Sequence, residues 1–87
     1  PSALDNYNGI SGMVYVMEGN PSKALEFFNE RISPANYQYY SYFKALALKA
    51  TQNKKAANDI FNFIANYNFA SWEVGLTRDL AKKALES

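Results

Sequence analysis

Two side-chain types are missing altogether from this 87-residue chain: cysteine and histidine. Without cysteine there is no disulfide framework, thiolate zinc site, iron–sulfur cluster or cysteine nucleophile. Without histidine there is no imidazole base, imidazole metal ligand or histidine pH switch. An excess of one charge is lacking too, since nine Lys and Arg oppose eight Asp and Glu for a net charge of +1. Binding a phosphate backbone takes a basic patch, because each neutralised phosphate needs a Lys or Arg. The basic pairs here, Lys54–Lys55 and Lys82–Lys83, are interspersed with acids and read as solvated helix faces. No nucleic-acid partner is expected. No apolar run approaches the ~18 residues of a membrane span, so no membrane insertion is expected either. No signal-peptide pattern is present, and the residues do not specify a compartment. These absences point away from an enzyme, a cofactor or a metal site, and towards a binding or scaffolding module.

What the chain does contain is 48% hydrophobic and 16% aromatic residues, arranged at helical spacing. Its length suits one small domain, below the usual mode of about 100 residues or more. A chain of this size buries only about 60–65% of the surface its unfolded form exposes, so its core is modest. Ser2 and Asp5 have the form of a capping box opening a helix to about Glu18. Along it Leu4, Tyr7, Ile10, Val14 and Met17 form one face of a 3.6-residue period. Gly19 ends that helix, and Asn20 with Pro21 opens a second, through Ala24, Leu25, Phe27, Phe28 and Ile32 to near Ser33. Ser33-Pro34 repeats the cap-then-proline opening for a third helix through Tyr37, Tyr40, Phe43, Ala47 and Ala50. Asn53 caps a fourth, through Ala57, Ile60, Phe61, Ile64 and Tyr67. Ser71 can cap a last helix to about Glu86, which Gly75 weakens by about 1 kcal/mol relative to Ala. No segment alternates as a half-buried strand does. The expectation is all-α with five helices.

Shifting the sequence by 33 residues aligns Tyr7 with Tyr40, Ile10 with Phe43, Gly12 with Ala45 and Met13 with Leu46. The same shift aligns Asn20 with Asn53, Ala24 with Ala57, Phe28 with Phe61 and Asn29 with Asn62. A fixed period in this range is the mark of stacked helical hairpins, none of which buries its apolar face alone. Residue size assigns the packing roles. Gly12 and Ala45 allow close approach of the following helix, Ala24 and Ala57 are its small partners, and Phe28 and Phe61 fill the space one turn on.

At these residues the chain resembles the tetratricopeptide repeat family, whose unit is about 34 residues. The first copy carries that family's small residue and aromatic (Gly12, Tyr15), turn Gly (Gly19), Ala and aromatic (Ala24, Phe28) and closing Pro (Pro34). The second keeps Ala45, Ala57 and Phe61 but has Leu48, Gln52 and Tyr67 at the remaining positions. The resemblance implies two antiparallel helical hairpins in a right-handed alpha-alpha superhelix plus a C-terminal capping helix. Within a single domain over 1–87, the units fall at about 5–37 and 38–70, with the cap at about 71–86. Trp72, Leu76, Leu80 and Leu85 form the cap's apolar stripe. Two units are few for such an array, which usually needs about three. The start at Pro1-Ser2 rather than Met adds to the expectation of a C-terminal fragment of a longer protein, with a homodimer through the open N-terminal face as the other resolution.

In this family the first helices line a groove that receives a peptide or a partner helix. By matching position the resemblance places Asn6, Gly9, Met13, Val16 and Met17 there from the first unit. Tyr39, Tyr42, Leu46, Lys49 and Ala50 follow from the second, with Trp72 beyond. Such a groove is apolar and aromatic with one cation, and Met and Tyr side chains suit binding surfaces. The family's carboxylate clamp has no counterpart, because Tyr39 and Phe43 stand where polar groups are needed. Within the aromatic run from Tyr37 to Phe43, two roles stay open for the outlying rings: half-exposed packing, or groove contacts by Tyr39 and Tyr42. The carboxylates Glu26 and Glu30 lie one turn apart near Lys23 and Arg31 and read as surface pairs. Gly9-Ile10-Ser11-Gly12 lies within a helix, follows no strand and has no histidine to serve it, so it is no nucleophile turn. The functional expectation is a protein-interaction module. The alternative is a helical accessory or oligomerisation domain of a larger enzyme.

Overall fold

The computed structural model describes residues 2–66 and 72–86, with side chains over 3–66 and 77–86. The described residues are helical throughout their regular structure: α1 (Ser2–Met17), α2 (Pro21–Phe27), α3 (Gln38–Ala50), α4 (Lys54–Asn66) and α5 (Trp72–Leu85). Helix α3 packs against all four others, whereas α1 meets α2 and α3, and α5 meets α4 and α3. Each helix thus touches its near neighbours in sequence, as in stacked hairpin arrays.

The two turns inside the hairpins are built alike. Gly19 and Gln52, 33 residues apart, both take the left-handed conformation, with φ of 78° and 66°. Around the first, Asn20 N–H donates to Tyr15 C=O (2.8 Å) and Gly19 N–H to Val16 C=O (3.0 Å). Around the second, Asn53 N–H donates to Leu48 C=O (2.8 Å) and Gln52 N–H to Lys49 C=O (3.2 Å). This pair of bonds is the Schellman closure, which satisfies carbonyls left orphaned at a helix end. Asn20 then caps α2, its Oδ1 accepting from Lys23 N–H at 3.4 Å, with Pro21 at the first helical position.

The core lies in two clusters, one between α1, α2 and α3 and one between α3, α4 and α5. The first joins Ala24, Phe28, Ile32 and Ala47, with Met13, Tyr37, Tyr40 and Phe43 packed on it. The second joins Ala45, Ala57, Phe61, Ile64, Ala65 and Ala81, with Tyr42, Leu46 and Leu85 around it. The small-beside-large pairing expected from the repeat is present. A Cβ on Gly12 would lie 2.5 Å from the Phe28 ring.

Four expectations require correction. Helix α2 ends at Phe27, not near Ser33, and α3 begins at Gln38 rather than at Pro34. Residues 28–37 form instead a connection held by the buried Ile32 and by the Lys44 ammonium, which donates to Asn29 C=O (3.2 Å) and Ile32 C=O (3.1 Å). The cap-then-proline pair Ser33-Pro34 starts only a turn, in which Tyr37 N–H donates to Ser33 C=O. Asp5, placed in a capping box by its spacing, turns both carboxylate oxygens towards Arg31 and Tyr37. Gly9, assigned to the groove by matching position, is buried directly beneath the Tyr40 ring.

The apolar face of α1 points outward. Leu4, Tyr7, Ile10, Val14 and Met17 are 41–67% exposed, while the inward face carries Asp5, Gly9 and Gly12. Glycines bring the backbone of α1 against Phe28 and Tyr40, so positions 9 and 12 admit no side chain, while Met13 and Val16 pack on the core beside them.

Candidate functional site

Helix α5 leans on α4 more extensively than on α3, and its Ala81 enters the core beside Ala57 and Phe61. An open cleft of about 260 Å³ lies between α3 and α5. Tyr42, Leu46 and Lys49 form its α3 wall, and Leu80, Lys83 and Ala84 form its α5 wall. The α3 residues fall at steps of four and three, one stripe along the helix. On α5, Leu80, Lys83 and Ala84 repeat the spacing of three and four.

The cleft is apolar at its base and cationic at its rim. Lys49 reaches across it, its ammonium donating to Ala84 C=O at 3.4 Å near the end of α5. A cation beside the carbonyl end of a helix is favoured by the helix dipole. Tyr42 is fixed from behind: its ring lies edge-on to Phe43 at 5.6 Å and tilted against the buried Phe61 at 5.8 Å. Burial raises the Tyr42 phenol above its ordinary value, with a smaller contribution from Tyr39, so the hydroxyl stays protonated at neutral pH.

Of the eleven residues that the resemblance places in the partner groove, Tyr42, Leu46 and Lys49 converge on this cleft. Tyr39 stands outside the cleft lining, 49% exposed and edge-on to Phe43 at 5.4 Å. Asn6 lies one unit away, its Oδ1 accepting from the Tyr40 hydroxyl at 3.3 Å. Met13 is half-buried against the α1–α2–α3 core, and Met17 is exposed at the end of α1's outer face. Trp72 opens α5, and its side chain lies outside the described residues. Leu80, Lys83 and Ala84 were missed, although their three-and-four spacing along the last helix was available as a signal.

A second polar cluster also escaped the sequence reading. Arg31 donates to Asp5 through Nε (2.9 Å) and Nη2 (3.2 Å), and the Tyr37 hydroxyl donates to the same carboxylate (2.9 Å). Asp5 is nearly buried while Arg31 is largely exposed, so the pair sits at the surface end of the α1–α3 interface. The Arg31 hydrogen bonds first, and the Tyr37 hydroxyl second, hold the Asp5 carboxyl below its ordinary value. That arrangement fastens α1 to the 28–37 connection and to the start of α3. Lys23, by contrast, pairs with Glu26 at 3.7 Å on the exposed surface of α2. Among the described residues no helix is long and apolar enough to cross a membrane. No protein-family model, curated protein or solved structure matches the chain.

Proposed function

We propose that this chain is a tetratricopeptide-like interaction module that binds a peptide or partner helix in the cleft between α3 and α5. The observation that carries the reading is the convergence of Tyr42, Leu46 and Lys49 with Leu80, Lys83 and Ala84 on one open, apolar-based cleft. Cavities that enclose small molecules usually run to about 300–1,000 Å³ and cover most of the ligand. An open cleft of about 260 Å³ suits one or two side chains of a longer partner. Tyr42 serves as a rigid anchor, because its ring is braced on Phe43 and Phe61 before any partner arrives. Preorganised aromatic residues at the centre of an interface carry a large share of its affinity. Lys49 orients a partner carboxylate at the rim and contributes less, as exposed ion pairs do.

Peptides selected from a random displayed library against the whole chain provide the probe. Their affinities are then compared for wild type, Tyr42→Ala and Leu46→Ala, with helical content checked by circular dichroism. Each variant is expected to lose at least about tenfold in affinity, the behaviour of a central interface residue. Unchanged affinity in both folded variants would remove the cleft from the binding site. The alternative reading, an accessory or oligomerisation domain of a larger enzyme, draws on a separate observation: the outward apolar face of α1.

A further inference from the structure

The exposed stripe Leu4, Tyr7, Ile10, Val14 and Met17 has an internal counterpart that shows what such a face is built for. At the 33-residue shift its members correspond to Tyr37, Tyr40, Phe43, Ala47 and Ala50 of α3. In α3 the first four of these are covered: Ala47 is buried, and Tyr37, Tyr40 and Phe43 pack on the cluster of Ala24, Phe28 and Ile32. The outer face of α1 is therefore the same kind of surface, without its cover except where Phe27 meets the Tyr7 ring edge-on at 6.3 Å. Contiguous apolar patches of this sort mark interaction surfaces on folded proteins.

From this stripe we infer that α1 is the interface of a two-fold symmetric homodimer, in which two copies of the helix pack antiparallel. Four observations select a second copy as the occupant. First, the stripe is self-complementary. Leu4 and Met17, Tyr7 and Val14, and Ile10 and Ser11 are each placed symmetrically about the midpoint of the stripe, which falls between Ile10 and Ser11. A two-fold axis beside that midpoint sets Leu4 against Met17 of the second copy, and the large Tyr7 against the smaller Val14. Isologous interfaces require this reciprocity.

Second, the stripe carries no charge, because Asp5 is turned inward and bound by Arg31. Third, the charge that flanks it is correctly placed for the pairing. Glu18 follows the last residue of α1 and under the two-fold falls beside Ala3 in the first turn of the other copy. A carboxylate is stabilised at that positive end of a helix dipole. Fourth, head-to-tail stacking has no acceptor. The surface of the second unit equivalent to the one that receives α3 is occupied by α5, through Ala81 on Ala57 and Phe61. Among assemblies of this chain with itself, a closed dimer remains. Helix α1, 16 residues and about 24 Å long, spans the interface from end to end. The inference does not depend on the cleft between α3 and α5.

Sedimentation velocity of the 87-residue chain from micromolar to submillimolar concentration tests the pairing. A concentration-dependent dimer is expected, and Ile10→Asp should weaken it by about a hundredfold or more, since it sets unpaired carboxylates at the axis. Cross-linking then tests the register, helped by the absence of native cysteine. Under oxidation, a mixture of Tyr7→Cys and Val14→Cys chains should form a mixed disulfide dimer in preference to either chain with itself. Circular dichroism establishes that each variant folds. A wild-type chain that stays monomeric across the range would overturn the inference and leave the stripe to a heterologous hairpin. A dimer that survives in folded Ile10→Asp, or single variants that cross-link to themselves as readily as to each other, would overturn it too.

Discussion

Gln52 adopts the backbone conformation of Gly19, 33 residues earlier, with φ of 66° against 78°, though it carries a side chain that disfavours it. The hydrogen bonds of the two turns match donor for donor and acceptor for acceptor. Geometry has been kept where residue identity has not. A left-handed non-glycine residue costs about 1 kcal/mol relative to glycine. Gln52→Gly should therefore stabilise the fold by roughly 0.5–1 kcal/mol, part of that gain being offset by the freer unfolded chain. Gly19→Ala should destabilise by a similar amount, with nothing within 4 Å of the added methyl to confuse the comparison. Urea unfolding of both variants checks the pair, and destabilisation by Gln52→Gly would contradict it.

Gly12 is expected to tolerate no side chain while Phe28 faces it. A methyl there would meet the ring at 2.5 Å, and both helices are fixed by their turns. Gly12→Ala should cost about 1–3 kcal/mol, as overpacking of a filled core does. Adding Phe28→Leu should recover part of that loss, giving a non-additive double-mutant cycle. Additive free energies in denaturant titrations would show that the two residues do not share the space.

The 28–37 connection should behave as part of the core. Ile32 is wholly buried, so Ile32→Ala is expected to cost about 2–5 kcal/mol. Lys44→Met keeps the aliphatic stem but removes the donor to the carbonyls of Asn29 and Ile32. Faster hydrogen exchange in residues 28–33, with α4 unaffected, is the expected signature.

Acid should loosen the α1 end of the molecule. The folded Asp5 carboxyl titrates below its ordinary value of 3.8, because Arg31 and then Tyr37 donate to its charged form. Its contribution is fully present above that ordinary value and is lost as pH falls through the lower, folded one. Tyr37 titrates above its ordinary value of 10.0, chiefly because it donates to Asp5, so its share is complete below that value and fades at higher pH. Asp5→Asn should lower the melting temperature at neutral pH and flatten the acid limb below the ordinary carboxyl value of 3.8. An acid limb identical to wild type would mean that Asp5 does not couple to folding.

How much of this architecture can be read from the sequence depends on how far apart the causes lie. Helices α1, α4 and α5 and both turn closures follow from local signals: Gly19, Asn20, Pro21 and Asn53 act within a few residues of themselves. The small-beside-large contacts of Gly12 with Phe28 are legible because the repeat states them twice. The end of α2 is not, since Phe28 to Ile32 continue a helical pattern while Lys44, from the next helix, draws their carbonyls into a connection. Periodicity shows that α1 has an apolar face without showing which way it turns. The closest approach on its inner face is made by Gly9 and Gly12, which add nothing to an apolar stripe. The cleft was half legible. Tyr42, Leu46 and Lys49 share one face of one helix, whereas their partners on α5 are set by how α5 packs on α4 and α3, which no local pattern encodes.

The position of α3 bears on where the chain can be divided. It supplies one wall to the core around Phe28 and Ile32 and another to the core around Phe61 and Ile64. A cut between α2 and α3 deprives the first hairpin of its cover, and a cut between α3 and α4 strips the second of its partner. Neither fragment inherits a closed interior. The segment that recurs in the sequence is therefore shorter than the segment that shares one interior, and the five helices are expected to unfold together.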